Sequence, residues 1–185
     1  MHLFYLSEYS KVKTLILNYD SVRPQGERLK TFGGYASGHQ PLMKMFDKLY
    51  KILVTNNTHK KKLQPIDCLD IANIIGGAVV SGGVRRTSEV ILFDPDDEEI
   101  LTAKSNLYYQ DTDGQWKINP DIEHRRMSNN TIQYYEKPTR EQWHKHILEM
   151  RYSGEPAFSN MQSAMKRRTD AEGGNPLNIG GFKRN

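Results

Sequence analysis

Pro65-Ile66-Asp67-Cys68-Leu69-Asp70-Ile71-Ala72-Asn73-Ile74-Ile75-Gly76-Gly77-Ala78-Val79-Val80-Ser81-Gly82-Gly83-Val84-Arg85-Arg86, followed shortly by Glu89-Val90-Ile91-Leu92-Phe93, decides the fold class. Proline suits a first helical turn, and Ile66, Leu69, Ile71, Ile74, Ile75 and Ala78 make the helix it opens apolar nearly all round. Such a helix is buried on more than one side. It stops at Ser81-Gly82-Gly83, and residues 89–93 are a strand closed by Asp94-Pro95-Asp96-Asp97. The connection from Ser81 to Arg86 therefore leaves an apolar helix for an apolar strand with two glycines and two guanidinium groups. Glycines permit close approach and more than one backbone state, and arginines bind phosphate or base edges. A ligand-sensing loop and an ordinary tight connection both fit.

Outward from that block, other segments alternate in the same way. Leu15-Ile16-Leu17 with Tyr19 reads as a short strand ending at Arg23-Pro24. Gly26, Gly33, Gly34 and Gly38 then punctuate a polar stretch, which reads as a ligand-approaching loop or a simple turn. Pro41 opens an amphipathic helix over 41–54 carrying Leu42, Met45, Phe46, Leu49 and Leu53. Asp113-Gly114 between aromatic residues is a hairpin signal, and 131–134 reads as a strand. Thr139 and Gln142 have the form of a capping box. The helix they start carries Trp143, Ile147, Met150 and Arg151, ends near Gly154, and is followed by a strand at Ala157-Phe158. The class is α/β.

The chain has 185 residues, 37% of them hydrophobic, and 26 basic against 22 acidic side chains give a net charge of +4. One domain, or part of a larger one, fits that length. The basic runs Lys60-Lys61-Lys62, Arg85-Arg86 and Lys166-Arg167-Arg168 are short and scattered, so composition does not argue for nucleic acid. A lone cysteine, Cys68, excludes an intrachain disulfide and a multi-cysteine metal site, and reads as the buried thiol of a cytoplasmic protein. No apolar run is long enough for a membrane span, and Met1 to Leu6 lacks the features of a signal peptide. His144 and His146 stand two apart on a helix and so face different sides, giving no metal pair. The acidic run from Asp94 to Glu99 fits no calcium loop.

Val22-Arg23-Pro24-Gln25-Gly26-Glu27-Arg28-Leu29-Lys30-Thr31-Phe32-Gly33-Gly34-Tyr35-Ala36-Ser37-Gly38 resembles a stretch of class II ribonucleotide reductases, the adenosylcobalamin-dependent kind. The blocks from Pro65 to Asn73 and from Val79 to Arg86, then Met127-Ser128-Asn129-Asn130-Thr131 and Gly154-Glu155-Pro156-Ala157-Phe158, are similar in the same order. The resemblance spans about 20–176, and the spelling Arg-Leu-Lys-Thr-Phe-Gly-Gly is closer to the triphosphate-reducing branch.

The resemblance implies part of a ten-stranded α/β barrel, with residues 1–19 as a lead-in, 20–176 as a partial reductase domain and 177–185 as an unrelated tail. It implies adenosylcobalamin as cofactor, a ribonucleoside triphosphate as substrate, a deoxynucleotide effector and a thioredoxin-type reductant. A cobalamin-derived radical passes to a cysteine that abstracts the ribose 3′ hydrogen, on the way to deoxynucleotides for DNA synthesis. Ser81, Gly82, Gly83, Val84, Arg85 and Arg86 correspond to the allosteric specificity loop. Ser37, Gly38 and His39 belong to the effector loop, and Gly33, Gly34 and Asn175 to the substrate site.

The sequence departs from the family after Asn175-Pro176. Leu177 stands where the radical cysteine is expected and Ile179 where a catalytic glutamate is expected, so no catalytic residue is assigned. Neither side chain can exchange a hydrogen or proton in that chemistry. The expectation is a reductase fragment ending at the catalytic finger loop, inactive by itself and completed by the missing C-terminal half. The alternatives are a non-catalytic deoxynucleotide-binding module, a decayed gene product and, on a pI near 9.0 alone, a basic nucleic-acid binder.

Overall fold

A computed structural model describes residues 16–30, 33–55, 63–81, 84–85, 87–167, 171–174 and 181–183. The chain forms two compact units that divide between Thr87 and Ser88.

The described part of the first unit begins with irregular chain at Ile16. The strand expected at 15–19 is not present over its described part: Asn18 Oδ1 accepts the Asp20 N–H at 2.7 Å, and the Val22 N–H bonds to the Tyr19 carbonyl. Local side-chain acceptors here compete with a ladder, and Ile16 is 85% exposed. Next comes an irregular hairpin, in which Gly26 N–H meets Ala36 O at 3.0 Å, Ala36 N–H meets Glu27 O at 2.8 Å and Leu29 N–H meets Gly34 O at 2.9 Å.

Helix α1 (Gln40–Tyr50) starts near the expected proline and runs into a wider turn at Lys51–Thr55. Helix α2 (Pro65–Ala78) is closed at its start by reciprocal bonds between Gln64 and Asp67. The two helices pack through Leu49 and Ile52 of the first segment against Ile74, with Met45 and Ile71 at the margin. Asp67, Leu69, Asn73, Ile74 and Gly76 of α2 are buried, whereas a strip that includes Cys68 and Ile75 is exposed. The buried thiol expected from the all-apolar pattern is thereby corrected: an apolar composition does not say which face finds a partner.

Past α2, strands β1 (Val80–Ser81) and β2 (Val84–Arg85) pair antiparallel, with Ser81 opposite Val84. The described backbone on either side of the glycines is therefore an antiparallel pair. Gly82, Gly83 and Arg86 lie outside the described residues.

The second unit is built on a three-stranded parallel sheet in the order β3 (Glu89–Phe93), β6 (Ser128–Tyr134), β7 (Ala157–Asn160). Glu89 pairs with Ser128 and Phe93 with Ile132; Thr131 pairs with Ala157 and Tyr134 with Asn160. The central strand has neighbouring Ile132 and Gln133 both buried, as parallel strands covered on two faces are. Between β3 and β6 lie helix α3 (Glu98–Leu101), capped by the Asp97 carboxylate on the Ile100 N–H, and the hairpin β4 (Tyr108–Gln110) with β5 (Trp116–Ile118). A short 3₁₀ turn at Glu123–Met127 leads into β6.

Helix α4 (Arg140–Ser153) joins β6 to β7 and has both bonds of the expected capping box, Thr139 with Gln142. Gly154 ends it at φ +77°, a left-handed stop that glycine takes without strain. Helix α5 (Met161–Arg167) follows β7 directly, and β8 (Ala171–Gly174) pairs with β9 (Gly181–Lys183). The α/β class and the parallel sheet stand. No closed barrel is present among the described residues, whose strands form four separate sheets.

Candidate functional site

The bonds between Gly26 and Ala36 turn the chain back so that two stretches distant in sequence face one another. Asn18, Tyr19, Asp20, Val22, Pro24 and Gln25 line one wall and Gly38, His39, Gln40 and Met43 the other, around an open cleft of about 680 Å³. Its lining includes Tyr19, Asp20, Gln25, Gly38, His39 and Gln40. The rings of Tyr19 and His39 lie 6.0 Å apart, tilted by 32°, a separation typical of interacting aromatic pairs.

Gly38 is required at its position for two reasons. Its φ of +73° lies where L side chains rarely go, and a Cβ there would stand 3.0 Å from Gln25 Cβ. Helix α1 begins at this floor, with His39 as its N-cap residue making no side-chain cap bond and Gln40 Nε2 3.3 Å from His39 Nε2. Asp20 is the one charged residue in the described lining.

Two of the three expected effector-loop residues, Gly38 and His39, thus enter a cleft, and Ser37 is half-buried just before them. Gly33 and Gly34, with φ of +67° and +81°, turn the tip of the hairpin and are not in the cleft's described lining. For Ser81, Val84 and Arg85 the described backbone is the β1–β2 ladder, and the Thr87 hydroxyl behind it donates to the Gly76 carbonyl at 3.2 Å. Asn175, Leu177 and Ile179 lie outside the described residues. Sequence reading does not single out Tyr19 and Gln25 as site residues, because only the fold of the intervening hairpin brings them to Gly38.

The second unit holds two polar clusters that sequence reading does not single out either. At the N-terminal edge of its sheet, Lys104 Nζ donates to the Ser128 carbonyl at 2.5 Å and to Glu155 Oε2 at 2.7 Å, and the same oxygen accepts the Asn130 N–H at 2.8 Å. Lys104 is 5% exposed, and its burial lowers its pKa against the raising effect of Glu155. This cluster ties together the two blocks Met127–Thr131 and Gly154–Phe158. It lies opposite the strand carboxyl ends, where parallel sheets hold ligands.

In the sheet–helix layer, the Tyr134 hydroxyl meets Nδ1 of His146, whose ring also bonds to the Pro95 carbonyl. A carbonyl can only accept, so that ring nitrogen carries hydrogen and the neutral ring takes the tyrosine proton at Nδ1. His146 is buried and His144 exposed, as their spacing implied. No group of three or more potential metal ligands is found among the described residues, and no described helix is long and apolar enough to cross a membrane.

Residues 1–53 match the family described as B12-dependent ribonucleotide reductase, insertion domain. Similar relatives are the adenosylcobalamin-dependent ribonucleoside-triphosphate reductases of Lacticaseibacillus paracasei, 36% identical over 65% of this chain, and of Lactobacillus delbrueckii subsp. bulgaricus and Lactobacillus leichmannii, each 37% identical over 64% of it. The chain spans 14–16% of the length of these relatives. No solved structure matches it. The cleft lies within the segment that the insertion-domain family matches, and the chain is similar to the adenosylcobalamin-dependent ribonucleoside-triphosphate reductases.

Proposed function

We propose that this chain is the nucleotide-sensing part of a cytoplasmic reductase that converts ribonucleoside triphosphates to deoxyribonucleotides. In this reading the cleft at Gly38 and His39 receives a deoxynucleotide effector, and the hairpin from Ser81 to Arg86 is the specificity element that responds. The observation that carries the reading is a continuous packed path. His39, Gln40 and Met43 border the cleft and start α1, α1 packs on α2 through Leu49 and Ile74, and α2 leads into the hairpin. A ligand that prefers one setting of α1 would bias the hairpin by its difference in affinity between the settings. Gly33, Gly34 and Asn175 are the substrate-side residues of this reading, β3, β6 and β7 part of the barrel wall, and 20–176 the reductase domain between a lead-in and a tail.

No residue of this chain is assigned the radical step. The only cysteine, Cys68, is exposed on α2 and is not among the described residues lining the cleft, and Leu177 and Ile179 stand where the reacting pair is expected. Adenosylcobalamin, on which the relatives depend by name, supplies a radical when bound. The described residues offer no cysteine at a cleft to receive it, so no step is drawn through the cofactor. A C-terminal half carrying that cysteine, with a thioredoxin-type reductant, completes the reaction.

Equilibrium dialysis of the full chain against each deoxynucleoside triphosphate tests the sensing role. Saturable one-to-one binding of at least one is expected, and no binding of any of the four overturns it. Mixing the chain with a C-terminal reductase half tests the catalytic assignment. Deoxynucleotide formation is expected in the mixture and in neither part alone; none in the mixture favours a free-standing sensor, consistent with a cleft built wholly within the first unit.

A further inference from the structure

We infer that the cleft grips the nucleobase of its ligand and leaves the phosphates outside. The inference rests on the nucleotide-sensing reading and concerns which part of the nucleotide is held. Among the described lining residues there is no lysine or arginine, and the one charged side chain, Asp20, is acidic. A triphosphate placed in the cleft would meet that carboxylate with no cation among the described lining residues to offset it.

The start of α1 offers one first-turn N–H fewer than an ordinary helix start. Helix N-termini bind phosphate through free first-turn N–H groups, but Pro41 stands in this first turn and has no N–H to offer. What the walls do offer suits a flat heteroaromatic ring. Tyr19 and His39 give ring faces, Met43 and Val22 give apolar cover, and the amides of Gln25 and Gln40 can both donate to and accept from base edges.

Competition on the full chain separates the parts of the ligand. The best-binding deoxynucleoside triphosphate is displaced in turn by its own deoxynucleoside and by inorganic tripolyphosphate. The deoxynucleoside should compete within about tenfold of the triphosphate, and tripolyphosphate should not compete. Tyr19→Leu should weaken nucleoside and triphosphate by the same factor, about tenfold for the loss of one stacked ring. Asp20→Asn should strengthen triphosphate binding and leave the nucleoside unchanged. Displacement by tripolyphosphate but not by the nucleoside overturns the inference while nucleotide sensing stands. Indifference to Tyr19→Leu overturns it too. Absence of binding by any nucleotide overturns both.

Discussion

Gly38 and Gln25 stand so close that a β-carbon added to the glycine would come 3.0 Å from Cβ of the glutamine and 3.2 Å from its backbone nitrogen. This contact closes the floor of the cleft between two stretches that the hairpin at 26–36 folds together. Gly26 has an equally unusual φ of +85°, but a β-carbon there would meet nothing within 4 Å. The pair separates backbone strain from crowding. Gly26→Ala should cost about 1 kcal/mol for the left-handed conformation alone. Gly38→Ala should cost about 1–3 kcal/mol and also weaken nucleotide binding at least tenfold. Urea unfolding and dialysis of the two variants check this; equal effects on binding would show that the contact does not shape the cleft.

The α1–α2 seam gives a second expectation. Ile74 is buried against Leu49 and Ile52, so Ile74→Ala should destabilise the first unit by about 2–5 kcal/mol, from lost transfer energy and the cavity left behind. Ile74→Val should cost about 0.5–1.5 kcal/mol and fold. Hydrogen exchange should then show faster opening of α1 and α2 with little change in β3, β6 and β7.

The buried imidazole of His146 makes the second unit sensitive to acid. Burial, the largest influence, lowers its pKa, with a further lowering by Lys145; the Pro95 carbonyl and Glu98 act in the raising direction. The unfolded chain takes up a proton near the ordinary histidine value of about 6.5, and the folded ring does so only at lower pH. Its contribution is therefore complete above about pH 6.5 and is lost as pH falls from there through the lower folded value. His146→Gln should flatten the dependence of stability on pH between about 7 and 5, read by urea midpoints. Tyr134→Phe should cost about 1–3 kcal/mol by leaving Nδ1 without its donor.

Lys104 and Glu155 set up a double-mutant test. Glu155→Leu strands a buried ammonium and removes the acceptor of the Asn130 N–H, and should cost about 3–5 kcal/mol. Lys104→Met together with Glu155→Leu should cost less than Glu155→Leu alone, because no uncompensated charge remains. Additive costs in unfolding titrations would show that the two side chains do not act as a pair.

Elements with local signals were legible in the sequence. The strand at Glu89–Phe93, the capping box of Thr139 and Gln142, the Gly154 stop and the Asp113-Gly114 hairpin all form as their residue patterns indicate. The failures are non-local. Leu17 and Tyr19 look like a strand, but a strand needs a ladder partner and Asn18 offers the backbone a turn instead. The apolar helix α2 says nothing of which face is covered, hence the exposure of Cys68. Lys104 meets Glu155 across 51 positions and Tyr19 meets His39 across a hairpin, distances over which no spacing rule operates. The glycines at 33, 34 and 38 advertised a turn or a close approach without saying which. The structure gives positive φ at Gly33 and Gly34, with open space beside Gly33, and a close approach at Gly38.

The most direct measurement is hydrogen exchange of the full chain with and without a saturating deoxynucleoside triphosphate. Nucleotide sensing by the first unit requires slowed exchange at Tyr19 to Gln25 and at His39 to Met43, extending along α1 and α2 to the hairpin after Val79. Unchanged exchange there, or protection confined to the exposed face of α4 around Trp143 and His144, would contradict it.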